Sequence, residues 1–467
     1  MNSQLAPLVA SFHALSAVQG PLNLRRMSAP APPNAESSAP ETLLLGQIID
    51  FTADPFATPP PDCARHLSRG AILLRGGKIA EVGPAARLGE AHPTARRVDY
   101  GAALLLPGFV DAHAHYPQTG IIASWGKRLI DWLEGYTFPE ESRFSDALYA
   151  ATIAGRYLDL AIANGTTTVA SFCTSHPESV TAFFQAAQAR GMAVVGGKVA
   201  MDRNAPEALL DTPERAYDES KALLQRWHGQ GRARYAITPR FTPTSSEAQL
   251  EAMGALWAEH PDCAMQTHLS EQAEEIAWVK ELCPDAEDYL ATYERHGLIG
   301  PGALFGHAIH LTPRERARLA ESGSSVVHCP TSNTFIGSGV FDAAGLAAEG
   351  VTTGLATDTG GGSSFSMLRT MGAAYEISQL NGAVLHPAQL LWLATEGSAR
   401  ALRMESEVGT LAVGSAADII ALDLASTPAI AQRAARAGDI WEAVFPTMMM
   451  GDDRAIKAVW IGGVGRR

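Results

Sequence analysis

The chain has 467 residues, 46% apolar and 18% charged, and none of its apolar runs reaches the ~18 to 20 residues of a membrane span. Membrane, fibrous and wholly disordered readings are therefore excluded. With 36 Lys and Arg against 49 Asp and Glu the net charge is −13, and no basic stripe is present to grip phosphates, which argues against nucleic acid as a partner.

At ~150 residues per domain the length suggests about three domains, although α/β barrels exceed that size as single units. The five cysteines (Cys63, Cys173, Cys263, Cys283 and Cys329) are odd in number, widely spaced and without a C-x-x-C pair. That usage suits a reducing compartment, and the expected location is the cytoplasm.

Leu5 to Val18 is fairly apolar, but Arg25 and Arg26 follow it, whereas a secretory signal carries its positive charge first. A transit peptide is the alternative for this stretch, and Met27 offers a second start. Residues 28–41 are rich in Pro, Ala and Ser, so residues 1–41 are expected to form a disordered tail. Two β-like runs follow, Leu43 to Ile49 and Ala71 to Val82, the second broken at Gly76-Gly77 as in a hairpin. A similar pair, Ala417 to Leu422 and Ile456 to Ile461, closes the chain, so both ends are expected to build one small β-sandwich domain over 42–106 and 404–467.

Between them, short β-rich runs alternate with helix-like stretches, the mark of parallel βαβ units. Eight runs end near His115, Ser171, Val199, Phe241, His268, His307, Cys329 and Asp358. Units of this size, ~35 residues each, fit a (β/α)8 TIM-like barrel over 107–403. A doubly wound open sheet is the runner-up, but no Gly-rich dinucleotide or P-loop fingerprint accompanies it.

The strongest chemical signal lies in Gly108-Phe-Val-Asp-Ala-His113-Ala-His115, where strand periodicity turns both histidines to one face as metal ligands require. His268, His307 and Asp358 end other barrel strands, where active sites of this fold collect. Each alone is more often a satisfied structural residue; together they suit a borderline divalent ion with an activated water, and so hydrolysis or deamination. Glu271 follows His268 by three residues and reads either as a general acid–base or as a first-turn glutamate of the next helix.

Seven segments carry a resemblance: PGFVDAHAHYPQTG (107–120), WLEGYTFPEE (132–141), GKVAMDRNAP (197–206), YAITPRFTPTS (235–245), THLSE (267–271), VVHCPTSN (326–333) and MGDDRAI (450–456). The first resembles the amidohydrolase superfamily at large, and the set resembles its guanine deaminases over the chain from about residue 43 onward. The resemblance implies one zinc per subunit, held by His113, His115, His268 and Asp358. It implies catalytic roles for Glu271, Asp358 and His307, with His307 either a further ligand or a hydrogen-bonding partner of the attacking water. Guanine would be bound by Gln118, Arg240 and Phe241 together with His268, Glu271 and His307, unless Phe241 is plain core.

Relatives with two metals carry a carboxylated lysine at the end of strand four, where this chain has Arg240, so a single metal is implied. Lys198, at the end of strand three, is expected to be structural. The sequence GHAIH departs from relatives that have alanine before the first histidine, leaving His307 and His310 as rivals, with strand-end position favouring His307. A homodimer in the cytoplasm is the family expectation, with neither membrane nor nucleic acid bound. Two rival functions remain, a sibling deaminase of another aminated ring and a non-catalytic scaffold.

Overall fold

The computed structural model describes residues 41–126 and 128–467, so the expected tail lies outside the described residues except for Glu41, which pairs with Arg75 and His92. Four strands come first: β1 (Thr42–Phe51), β2 (Ala64–Arg75), β3 (Lys78–Pro84) and β4 (Arg96–Pro107). The turn between β2 and β3 is Gly76-Gly77 with φ of 58° and 77°, a left-handed pair that suits glycine in a two-residue hairpin.

Nine strands follow: β5 (Phe109–His115), β6 (Thr166–Phe172), β7 (Ala193–Gly197), β8 (Val199–Ala200), β9 (Ala233–Pro239), β10 (Ala264–Leu269), β11 (Ala303–His307), β12 (Ser325–His328) and β13 (Thr352–Leu355). Eight of them pair in the order β13-β12-β11-β10-β9-β7-β6-β5, all parallel, with β8 a short addition beside β9. Asp358 N donates to His113 O at 3.0 Å and His115 N to Thr359 O at 2.5 Å, so the segment after β13 meets β5 and nearly closes the barrel. Every residue of β5 and β6 is buried, as expected where helices cover the outside of a parallel sheet and side chains fill its interior. The helix Pro213–Trp227 shows how the cover is made: Ala216, Ser220, Leu223, Leu224 and Trp227 are buried at helical spacing, and Thr212 caps its start.

The last strands, β14 (Ile419–Leu422), β15 (Ile456–Ile461) and β16 (Val464–Gly465), return to the first four and complete a seven-stranded mixed sheet, β16-β15-β14-β4-β1-β2-β3. Leu44, Ile48 and Ile72 from one chain end share an apolar cluster with Ile419, Ala458 and Trp460 from the other. The chain ends thus fold on each other as their composition suggests. No described helix is long and apolar enough to cross a membrane.

All five cysteines are buried and unpaired, and burial lifts the Cys63, Cys173, Cys263 and Cys329 thiols above their usual value, Cys263 to about 12. Because the thiolate is the reactive form, a disulfide reagent at pH 7 is expected to titrate none of them quickly in the native protein and all five after unfolding. A thiol reacting at the rate of free cysteine would contradict this placement.

Candidate active site

The strand β5 delivers the first two histidines. Its pairing with β6 breaks register between Asp111 and Ala114, a kink of the kind that re-aims side chains at barrel rims. Asp111 braces the rim, accepting hydrogen bonds from Thr357 N at 2.9 Å and Thr357 Oγ1 at 2.5 Å. Asp358, the residue after Thr357, adopts φ of 47°, and His307 at the end of β11 adopts 68°. Left-handed backbone is costly for such residues and is tolerated where the surroundings enforce it, often at active sites.

These conformations bring five predicted residues together. His115 Nε2 lies 3.1 Å from His268 Nε2, and Asp358 Oδ1 lies 3.5 Å from His113 Nε2 and 3.6 Å from His115 Nε2. A tetrahedral ion with bonds of about 2.0–2.1 Å needs ligand atoms about 3.3 Å apart. These three separations fit that requirement, and His113, His115 and His268 each offer a nitrogen within 4.8 Å of the others.

Their chemistry fits as well. His113 Nε2 is buried with no hydrogen-bond partner among the described residues. His268 Nδ1 is 2.7 Å from Arg240 O and donates to it, which leaves the Nε2 lone pair facing the cluster. Burial drives the His113, His115 and His268 imidazoles well below the usual histidine value, so they are neutral and able to ligate. Three neutral imidazoles and a carboxylate form a set suited to zinc.

His307 adjoins this set, with Nε2 3.8 Å from Asp358 Oδ2 and 3.5 Å from Glu271 Oε2, and it shares with His113, Asp358 and Cys329 a second group whose ligand atoms lie within 4.8 Å of one another. Its Nδ1 bonds Asn333 Oδ1 at 2.9 Å. Burial pulls its pKa down, but Glu271 and Asp358 outweigh that and leave it above the usual value. Burial raises the carboxyls of Glu271 and Asp358, against the opposing pull of His307. Glu271 is fixed from both ends: its backbone N–H donates to Glu275 Oε2 at 2.8 Å and Ser338 Oγ donates to its Oε1 at 3.1 Å.

The rival His310 is turned away, bonded through Nε2 to Ser338 O at 2.8 Å. The glycine before His307 has a steric reason, since a Cβ on Gly306 would come within 2.7 Å of His113 Cε1. Lys198 is fully buried against Asp211 and Glu219, the latter at 3.3 Å, and its ammonium takes no part in the histidine cluster.

Above the donors opens a small cavity. Gln118, Arg240, Phe241, His268, Glu271 and His307 line it, with Leu129, Trp132 and Leu133 as apolar wall. Phe241 both lines the cavity and packs in an apolar cluster with Phe138, Phe172 and Leu133, so its two readings are compatible.

One carboxylate was not singled out by sequence reasoning. Glu141 is fully buried and accepts from Gln118 Nε2 at 2.9 Å and from Arg240 Nη1 at 2.8 Å. Asn333 and Ser338, which hold His307 and Glu271, were likewise unassigned. The only signal for Glu141 and Asn333 is that both fall inside resemblance-bearing segments, 132–141 and 326–333.

The sequence profile of the amidohydrolase family matches residues 104–465. The chain belongs to the amidohydrolase family. Within that family it is 41% identical to the guanine deaminase of Escherichia coli over 400 residues, covering 85% of this chain and 91% of that relative. A probable guanine deaminase of Deinococcus radiodurans is 42% identical over 424 residues, covering 89% of this chain and 96% of the relative. In structure, this amidohydrolase aligns with the guanine deaminase of C. acetobutylicum that has guanine bound in its active site. Their TM-score is 0.83 at 27% identity, with 91% of this chain and 99% of that one covered.

Proposed function

We propose that this amidohydrolase deaminates guanine hydrolytically, giving xanthine and ammonia, with one zinc held by His113, His115, His268 and Asp358. The observation that carries the reading is the convergence of four buried donors beneath a small cavity whose wall holds an amide and a guanidinium, Gln118 and Arg240. The sequence relationship to guanine deaminases supports guanine as the ring.

A divalent ion bound by such a set supplies a water whose pKa is lowered to ~7 and a positive charge for the developing anion. The protein's own groups do the rest. Asp358 takes a proton from the attacking water as the oxygen adds to C2 of guanine. Glu271 protonates the ring at N3; burial raises its carboxyl above the usual value, which favours the protonated form this step needs. Glu271, now ionised, takes the second proton of the former water and passes it to the 2-amino group, so that ammonia leaves and the oxygen stays on C2 as a carbonyl; the proton held by Asp358 returns to Glu271. His307, close to both carboxylates, stabilises the charge that passes between them. Gln118 and Arg240 read the polar edge of the purine, and Phe241 packs on its face.

The same reading includes a homodimer in the cytoplasm and a division into a barrel over 107–403 and a β unit over 42–106 and 404–467. The test of substrate is to offer guanine, adenine, cytosine and guanosine in parallel to zinc-loaded protein and follow ammonia. Release from guanine alone supports the assignment. Turnover of a different ring instead would keep the metal chemistry and overturn the pocket reading.

A further inference from the structure

The Glu141 carboxylate stands apart from the histidine cluster and does not itself line the cavity, yet it holds two side chains, Gln118 and Arg240, of the cavity's polar face. A carboxylate in an ion pair only accepts hydrogen bonds. With Glu141 Oε2 on Arg240 Nη1 and Oε1 facing Gln118, the Gln118 amide must turn its NH₂ toward Glu141. Its carbonyl oxygen is thereby left for the cavity, beside the remaining guanidinium donors of Arg240. Among the described residues neither side chain has another side-chain hydrogen bond that would set its orientation.

We propose that Glu141 is a specificity-determining positioning residue: by forcing one orientation on Gln118 it makes the cavity wall an acceptor next to a donor. This rests on the guanine reading of the site and deepens it. Guanine offers the complement, with N1–H to donate to Gln118 Oε1 and O6 to accept from Arg240. Adenine offers the reverse, an acceptor N1 beside a donor 6-amino group, and meets like against like at both positions. A glutamine at 141 has one acceptor and one donor. Its oxygen serves Arg240, its NH₂ then meets Gln118 Oε1, and the Gln118 amide turns over to present NH₂ to the cavity.

The test uses direct binding, so that it does not depend on turnover. Zinc-loaded wild type and Glu141→Gln are titrated calorimetrically with hypoxanthine, which shares the N1–H and O6 of guanine, and with adenine. Wild type is expected to prefer hypoxanthine by roughly 10- to 100-fold, the discrimination of a good paired hydrogen-bond contact. In Glu141→Gln the ratio is expected to fall to about one or to invert. A role confined to packing would weaken both ligands alike and leave the ratio unchanged, which would overturn the proposal, as would a wild type that binds both equally. If Glu141→Gln fails to fold, Glu141→Asp keeps the charge but is one methylene too short to reach both partners, and an unchanged ratio there overturns it equally. Failure of the guanine reading shows separately, as wild type that releases no ammonia from guanine.

Discussion

Glu271→Gln is expected to lower kcat by roughly 10²- to 10⁴-fold, the range over which a positioned acid–base group contributes, while the purified protein keeps about one zinc per chain. The substitution preserves the shape of a side chain that is almost wholly buried, and Ser338 Oγ can still donate to the amide oxygen. The four candidate ligands are untouched, because the partner Glu271 meets within the cluster is His307, at 3.5 Å. What disappears is a group able to carry a proton between water, ring nitrogen and leaving group. Steady-state kinetics alongside metal analysis separate the two effects, and near-normal turnover would remove Glu271 from proton transfer.

His113→Ala is expected to act one step earlier, by losing the metal itself. His113 is one of the four candidate donors, and its buried Nε2, without a hydrogen-bond partner among the described residues, is the atom that most needs a cation. Without it the site cannot close, and several kcal/mol of charge stabilisation go with the ion, at least about a thousandfold in rate. Zinc content should fall from about one per chain to near zero, and added zinc should restore chelator-treated wild type but not the variant. A variant that retained stoichiometric zinc and turnover would show that the ion is held elsewhere.

The candidate donor cluster was legible in the sequence because its residues announce themselves locally. Two histidines two apart on a buried strand share a face, and His268, His307 and Asp358 recur at the ends of other strands, where a parallel barrel gathers them. Strand boundaries were less legible for a related reason. The strand β13 stops at Leu355, three residues before Asp358, because the left-handed backbone at Asp358 takes that residue out of the sheet. Likewise β9 ends at Pro239, before Arg240 and Phe241, which turn into the cavity. Least legible were the residues that orient others. Glu141 stands 23 residues from Gln118 and 99 from Arg240, and Asn333 stands 26 from His307, so no spacing rule links them. Such pairs become visible only when the chain closes on itself.

The most direct measurement is to run the zinc-loaded protein with guanine in ¹⁸O-labelled water and analyse both products. Hydrolysis at C2 requires one ammonia per guanine and xanthine carrying a single ¹⁸O from solvent. Ammonia without labelled xanthine, or no reaction with guanine at all, would contradict it.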